Sequence, residues 1–289
     1  MSMSEEIAID HLRSWIGRQE QEIDTITPEL LKRFRATLNA YTAAGAESST
    51  SIPLGIHWCL ALPALSSEEL GPDGHPAKGG FLPPAPLPRR MWASSRIQFR
   101  KPPTIGVPIE RISTIADVVL KKSATAGALV FVQIDHTYTE NTGNAKETLI
   151  EESQTIVYRQ AVPFKHSDAQ ETRTVVRTLT LVPDSTLLSR YSGLTFNGHR
   201  IHYDHKYATS VEGYPALVVH GPLMATILMN LAQANRGDSP LHEFEFRGVA
   251  PAFVDEALQF DVNDDAAESL EVRNSDNTVI MTASAQFSG

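Results

Sequence analysis

One short segment of the sequence concentrates side chains that can do chemistry. Residues 196–204, FNGHRIHYD, bring His199, Arg200, His202 and Asp204 close together. An imidazole with its ordinary pKa of about 6.5 can take up and return a proton near neutral pH. A guanidinium can bind a carboxylate through two parallel hydrogen bonds. The segment therefore indicates proton transfer on a polar substrate, and a plain surface loop is the alternative.

The composition of the 289-residue chain restricts what it can act on. Hydrophobic residues make up 42% and charged residues 20%, as in ordinary globular proteins. The net charge of -9 disfavours a general role on nucleic acid or on an anionic membrane. The single cysteine, Cys59, excludes an internal disulfide, and the acidic N-terminus does not resemble a signal peptide. We expect a cytoplasmic protein without nucleic-acid or membrane partners.

The first part of the chain is predicted to hold two helices, a loop and several long strands. Residues 5–24 and 28–41 are predicted as helices, from apolar residues at helical spacing and from an N-capping threonine. Residues 63–90 are rich in proline and glycine and are predicted as a loop that binds or covers a ligand. From Met91 onwards, β-branched and aromatic residues predict curved antiparallel strands.

The second part is predicted to place the motif just before a long buried helix. This helix starts at Gly221 and Pro222 and ends at Gly237, and it is apolar on all sides. Its proline and the strands predicted around it disfavour a membrane span. Four strands are predicted after it, from turn residues that separate alternating apolar runs.

A polar connector near residue 165 marks the predicted domain boundary. Residues 1–165 form the predicted N-terminal domain, and residues 166–289 form the C-terminal domain that carries the motif. In each domain one helix precedes antiparallel strands, which predicts an α+β fold in which two antiparallel sheets each wrap around a central helix. The motif occurs once, so the N-terminal domain is expected to be a degenerate copy that accommodates the substrate.

The region around the motif resembles the signature of MaoC-like hydratases and dehydratases, which have the hotdog fold. The resembling stretches are YSGLTFNGHRIHYDHKYA (191–208) and GYPALVVHGPLMATIL (213–228). In the first half, GIHWCL (55–60) and GGFLPPAPLPRRMWASSRIQF (79–99) extend the resemblance over most of the chain. It is strongest to the double-hotdog branch that acts on acyl thioesters and includes mesaconyl-CoA (3-methylfumaryl-CoA) and itaconyl-CoA hydratases. The resemblance therefore implies a double hotdog.

The resemblance assigns the acid–base group and also departs from the family at one position. His202 falls on the catalytic histidine of the family, and Gly221 falls on the glycine that starts the hotdog helix. Asn197 stands where the family has an aspartate; an amide can hydrogen-bond a water but cannot take its proton. We therefore expect His202 to be the lone acid–base group, and catalysis to follow one ionisation near the ordinary histidine pKa.

Other residues are assigned binding roles. The backbone N–H groups of Gly221 and His220 are expected to stabilise negative charge on the thioester oxygen, because they lie at a helix N-terminus. The residues expected to bind the acyl group are Arg200, His199 and Tyr203. The residues expected to bind coenzyme A are Arg89, Arg90 and Arg96. The alternatives are a solvated charged loop for the first set and an ordinary strand edge for the second.

These assignments predict a hydro-lyase that reversibly adds water across the α,β double bond of a short enoyl-CoA. The preferred substrates are dicarboxylic, mesaconyl-CoA or itaconyl-CoA, giving citramalyl-CoA. The alternatives are a 3-hydroxyacyl-thioester dehydratase of fatty acid synthesis and a non-catalytic acyl-CoA-binding protein. No cofactor is expected, because coenzyme A is part of the substrate. No metal is expected, because the motif histidines lack a carboxylate at a familiar ligand spacing. The oligomeric state is left open, with a homodimer as one alternative.

Overall fold

The backbone is organised around one antiparallel sheet. The computed structural model describes residues 7–38, 52–123, 127–141, 145–161, 175–263 and 269–288. The strands of the first half are β1 (Gln19–Thr25), β2 (Arg89–Phe99), β3 (Pro108–Ser123), β4 (Gly127–Asn141) and β5 (Lys146–Arg159). Those of the second half are β6 (Val175–Leu181), β7 (Leu241–Gly248), β8 (Leu258–Asn263), β9 (Ser269–Asn274) and β10 (Val279–Phe287). Their order across the sheet is β1-β3-β4-β5-β2-β7-β10-β9-β8-β6.

The two predicted sheets are present and are joined at one seam. β2 of the first half pairs with β7 of the second in antiparallel register, with Ser95 opposite Phe246. Arg96 on β2 also forms an ion pair of 2.9 Å with Glu243 on β7. The α+β double-hotdog prediction is confirmed, with the two sheets continuous along this edge.

The helices are α1 (Ile9–Arg13), α2 (Pro28–Leu38), α3 (Ser185–Thr195), α4 (His205–Ser210) and α5 (Gly221–Arg236). The prediction of one helix over residues 5–24 is wrong, because α1 ends at Arg13. Gly17 then adopts a left-handed conformation with φ of 84°, which a helix cannot continue through. Residues 19–25 instead pair with β3, so strand pairing overrides the local helical pattern.

The long helix α5 is the buried centre of the second half, as predicted. His220 is its N-cap, a proline occupies its first turn and Gly237 ends it with φ of 65°. The side chains from Leu223 to Ala232 are all buried, and the helix packs against the strands β7 to β10. A helix enclosed in this way must be apolar on every face, which explains its composition. Among the described residues, no helix is long and apolar enough to cross a membrane.

The apolar core is shared between the two halves. Phe34 and Leu38 of α2 belong to the same buried cluster as α5. The short helical turn Ile56–Cys59 lies in it too, and the Asn230 side chain of α5 donates a hydrogen bond of 3.0 Å to the carbonyl of Leu54. The predicted boundary near residue 165 lies outside the described residues, so the two-domain division stays a prediction.

Candidate active site

His202 is held with one ring nitrogen satisfied and the other available. It ends a helical turn, Arg200–His202, and its side chain is buried. Its Nδ1 lies 2.7 Å from the carbonyl oxygen of Val218. A carbonyl can only accept, so Nδ1 carries the hydrogen and Nε2 carries the lone pair. The Val218 N–H in turn donates to the carbonyl of Ile201 at 3.0 Å, which fixes the two segments together. The geometry therefore leaves Nε2 free to accept a proton, which fits the general base expected at His202; that catalytic role stays a prediction.

The ionisation of His202 is displaced from its ordinary range. Burial lowers the pKa of His202 to about 4, against the opposing effect of the Val218 carbonyl. The expectation of an ionisation near the ordinary histidine pKa is therefore corrected downwards. The imidazole is neutral at pH 7, which is the state that a base requires.

The N-terminus of α5 lies directly beside this base. The rings of His202 and His220 are stacked with their centres 3.7 Å apart. The His220 Nε2 lies 2.9 Å from the hydroxyl of Ser192 on α3, and burial lowers the His220 pKa well below its usual value. Among the described residues, the backbone N–H groups of His220 and Gly221 have no hydrogen-bond acceptor. Their predicted role on the thioester oxygen fits this position and stays a prediction.

A loop of the first half reaches the motif and brings Asp73 and His75 to it, two residues that the sequence pattern does not single out. The loop is closed on itself by a bridge between Leu70 and Pro76. It docks on the motif, because the Arg200 N–H donates to the carbonyl of Asp73 at 2.9 Å. It thereby brings Asp73 and His75 to the motif histidines. The proline- and glycine-rich composition had indicated a binding or covering loop, and the stretch GPDGHP (71–76) is the signal for its chemistry.

Two glycines make this docking possible. A Cβ added at Gly74 would lie 2.0 Å from the carbonyl oxygen of Gly198. A Cβ added at Gly198 would lie 2.5 Å from the carbonyl oxygen of Gly74. Gly74 also has φ of 84°, a conformation that other residues rarely adopt. Side chains at either position would separate the loop from the motif.

The imidazoles form a continuous row between the loop and α5. The ring of His75 lies 4.0 Å from that of His199, which meets the His202 ring edge-on at 5.4 Å. Asp73 accepts a hydrogen bond of 3.1 Å from the Nδ1 of His75. Burial lowers the pKa values of His75 and His199, so both rings are neutral at pH 7. The row His75–His199–His202–His220 therefore presents uncharged proton acceptors.

The side chains of Asn197 and Tyr203 form hydrogen bonds with the backbone of their own motif segment. The Asn197 Oδ1 accepts a hydrogen bond of 3.0 Å from the backbone N–H of His199, which is the geometry of an Asx-turn. The hydroxyl of Tyr203 donates to the carbonyl of Gly198 at 3.0 Å, and this side chain is 51% exposed. Both residues shape the loop that carries His199 and His202. Their contact with substrate stays a prediction.

Arg200 is engaged within the protein rather than aimed at an empty space. Its Nη2 and Nε donate to Asp204 Oδ2 at 2.7 and 3.1 Å. Its Nη1 donates to the carbonyl of Pro72 at 3.0 Å, and its guanidinium lies 4.2 Å from the ring centre of Tyr207. These contacts hold the docked loop. The predicted grip on a substrate carboxylate stays a prediction that this geometry does not support.

The three arginines predicted to bind coenzyme A each face a carboxylate of the protein. Arg89 pairs with Glu212 at 2.9 Å, and Arg96 pairs with Glu243 at the seam. The Arg90 side chain is nearly buried, and its Nη2 lies 3.9 Å from a carboxylate oxygen of Asp73. Binding of coenzyme A by these residues also stays a prediction.

Among the described residues, one group of side chains is spaced closely enough to be considered as a metal site. It consists of Asp73, His75 and His199. One carboxylate oxygen and one nitrogen of each ring lie within 4.8 Å of one another. Two imidazoles on tetrahedral zinc, with Zn–N bonds of about 2.0–2.1 Å, have ring centres roughly 5 Å apart. The 4.0 Å between these two rings is tighter, and the Nδ1 of His75 is already bonded to Asp73. The spacing suits a hydrogen-bonded water better than a cation, and the metal-free and cofactor-free reaction stays a prediction.

Comparison with known proteins agrees with this geometry. The family model described as hydroxyacyl-thioester dehydratase type 2 matches residues 55–254. The mesaconyl-C(4)-CoA hydratase of Chloroflexus aurantiacus is 40% identical over 281 residues, which cover 96% of this chain and 98% of that protein.

Two solved structures agree in fold. HtdX of Mycobacterium tuberculosis aligns with a TM-score of 0.65 and 17% identity, over 94% of this chain and 100% of that one. A second protein of that organism, described as having a double hotdog fold, aligns with a TM-score of 0.58 and 10% identity, over 94% and 96% of the two chains.

The family match removes the alternative of a non-catalytic acyl-CoA-binding protein. It spans both the docked loop and the motif, so it includes every residue of the histidine row. This chain belongs to the hydroxyacyl-thioester dehydratase type 2 family, and it is a hydratase or dehydratase that acts on an acyl thioester.

Proposed function

We propose that this enzyme hydrates a short dicarboxylic enoyl-CoA of the mesaconyl type and forms citramalyl-CoA. The observation that carries the proposal is the 40% identity, over nearly the full length of both chains, to a protein named mesaconyl-C(4)-CoA hydratase. Itaconyl-CoA is the second substrate to test. The reaction needs no cofactor in this proposal, because the base and the N–H donors belong to the protein.

The chemistry follows from the arrangement at the start of α5. The thioester oxygen lies against the backbone N–H groups of His220 and Gly221, which stabilise the negative charge that develops as the double bond is attacked. His202 Nε2 removes a proton from the attacking water. The stacking of His202 on His220 sets the distance between the base and these donors. Because the imidazoles around the water are neutral, they do not repel the carboxylate that a mesaconyl group carries on its β carbon.

The second candidate is dehydration of a 3-hydroxyacyl thioester in fatty acid synthesis, which is favoured by the description of the matched family. The two candidates differ in the acyl group, which is apolar in the second. A protein with one buried cysteine and a net charge of -9 suits the cytoplasm, where we place the reaction. The oligomeric state stays open, with a homodimer as the alternative to a monomer, and light scattering measures it.

The test is a panel of thioesters: the α,β-unsaturated ones are followed by the ultraviolet absorbance of the conjugated enoyl group, and itaconyl-CoA, whose double bond is not conjugated with the thioester, by chromatography of the product. Mesaconyl-C4-CoA, itaconyl-CoA and crotonyl-CoA are compared in hydration, and a 3-hydroxyacyl thioester on coenzyme A or carrier protein is compared in dehydration. We expect kcat/KM to be highest for mesaconyl-C4-CoA. A higher kcat/KM for the apolar thioesters would favour the second candidate. His202→Ala should lose at least 10²-fold in kcat, the usual minimum contribution of an acid–base group.

A further inference from the structure

The site contains more proton acceptors than a single-histidine mechanism uses. The Nε2 of His75, the Nε2 of His202 and the ring nitrogens of His199 have no hydrogen-bond partner among the described residues. His75 and His199 are partly buried, and each neutral imidazole offers one acceptor nitrogen and one N–H. Open ring nitrogens clustered in this way suit a bound water. Water is the donor that the hydration reaction requires.

The docked loop fixes which nitrogen of His75 is open. Asp73 is ionised, because its hydrogen bonds with His75 and the charge of Arg90 outweigh burial and lower the Asp73 pKa. The carboxylate accepts the hydrogen of His75 Nδ1 and also accepts from the His75 backbone N–H at 3.1 Å. His75 is thus locked in one tautomer, with the lone pair on Nε2.

The distances suit a single water. The ring centres of His75 and His199 are 4.0 Å apart. Nitrogens of both rings can therefore lie within hydrogen-bond reach, about 2.8 Å, of one water. His202 follows directly in the row, edge-on to His199.

We propose that His75 and His199 hold the reacting water beside His202, with Asp73 as the residue that positions His75. The first half of the chain then supplies part of the catalytic site, in place of the carboxylate that is missing at Asn197. This inference rests on the proposed hydratase function and adds the water site to it.

The step balances without any further reactant. The water oxygen forms a bond to the β carbon while one of its O–H bonds breaks and that proton passes to His202 Nε2. The electron pair of the double bond moves onto the α carbon and the thioester oxygen. His202 returns the proton to the α carbon, which completes the C–H bond. The second O–H bond of the water stays intact and donates to His75 Nε2, while the N–H of the neutral His199 ring donates to the water oxygen; this O–H becomes the hydroxyl of the product.

The charge state of this water site suits the substrate class. A mesaconyl thioester carries its free carboxylate on the carbon that the water attacks. An ionised aspartate at that place would repel this carboxylate, whereas neutral imidazoles do not. Asp73 and Asp204, the carboxylates beside the row, are each paired with a cationic side chain or an imidazole N–H.

The test compares two substitutions at His75 in the full-length enzyme. His75→Asn keeps an N–H donor where Nδ1 contacts Asp73 but removes the acceptor at Nε2. We expect kcat for mesaconyl-C4-CoA to fall about 10²-fold, as for a misplaced reactant, with KM changed less than about threefold. His75→Gln places an amide oxygen near the position of Nε2 and should recover part of kcat. A purely structural role for His75 predicts instead that Asn and Gln reduce thermal stability and kcat together.

The control is His205→Asn, an exposed histidine just beyond the motif, which should leave kcat and stability unchanged. If the wild type is active and His75→Asn keeps kcat within about threefold, the inference is wrong and the proposed function stands. If the wild type is inert on the whole panel, the proposed function fails first.

A binding measurement, which does not depend on the rate of turnover, then decides the water site. Nitrogen NMR of the histidines is recorded with added 3-hydroxybutyryl-CoA, whose hydroxyl occupies the place of the water. The Nε2 signal of His75 should move upfield together with that of His202. A shift confined to His202, or no shift at any of the three rings, would overturn the inference.

Discussion

At the scale of single residues, the environment of His202 decides its chemistry more than its type does. A histidine in solution changes charge near pH 6.5. Here burial among other neutral imidazoles lowers its pKa to about 4. The sequence could identify the residue, from its place in NGHRIH, but not this shift. The burial of His202 and its contacts with other rings arise only when the fold brings His75 and His220 to the motif. The sequence alone does not show them.

The first prediction concerns the pH–rate profile. His202 acts as a base only when neutral, so log kcat/KM on the acid side should decline with an apparent pKa of about 4. At pH 5.5 the enzyme should keep most of its pH 7 value, whereas an ordinary histidine would keep about a tenth. Initial rates are measured after dilution from pH 7, so that unfolding does not intervene. An acid limb near pH 6.5 would show that the base is exposed in the working enzyme.

The second prediction separates a structural from a substrate-binding arginine. Arg200 donates to Asp204 and to the carbonyl of Pro72, so Arg200→Met should loosen the docked loop. We expect kcat/KM to fall by a similar factor, about tenfold, for mesaconyl-C4-CoA and for crotonyl-CoA. A loss confined to mesaconyl-C4-CoA would assign Arg200 to the substrate carboxylate instead.

At the scale of elements, the sequence predicted the pieces with strong local signals and missed those that depend on distant partners. Pro222 and Gly237 mark the ends of α5, and both were visible in the sequence. The local pattern predicts helix for residues 19–24, whereas they form a strand because their pairing with β3, remote in the sequence, decides their conformation. The composition of the docked loop predicts a binding or covering segment but not its contact with the motif, because Arg200, whose N–H donates to the Asp73 carbonyl, is remote from the loop in the sequence.

The third prediction tests this docking. Gly74→Ala places a methyl group 2.0 Å from the Gly198 carbonyl and should lift the loop from the motif, with a loss in kcat of about tenfold or more. Gly17→Ala is the matched control. Gly17 has the same φ of +84°, but a Cβ there meets nothing within 4 Å. Both variants bear the backbone strain, of roughly 1–2 kcal/mol, and only Gly74→Ala should lose activity. Equal activity of the two variants would mean that the loop does not need this contact.

At the scale of the whole molecule, five neutral histidines tie stability to pH: the four of the row and His136 on β4. Burial lowers the pKa values of His75, His136, His199, His202 and His220 in the folded chain. Below about pH 6.5 the unfolded chain takes up protons at these side chains, whereas the folded chain does not. The free energy of unfolding must therefore decrease as the pH falls from 6.5 towards the folded pKa values.

The fourth prediction puts a magnitude on this effect. Between pH 6.5 and pH 5, protonation of His202 in the unfolded chain alone should lower the free energy of unfolding by roughly 2 kcal/mol. One pKa unit corresponds to about 1.4 kcal/mol. Urea unfolding at pH 8, 6.5, 5.5 and 5 measures the slope, which should be near zero above pH 7 and steep below pH 6.5. His202→Asn keeps a donor for the Val218 carbonyl and cannot titrate, so its slope should be shallower by up to one proton. A wild-type slope that is flat from pH 8 to pH 5, or the same in His202→Asn, would mean that the row is hydrated and free to ionise in the folded protein.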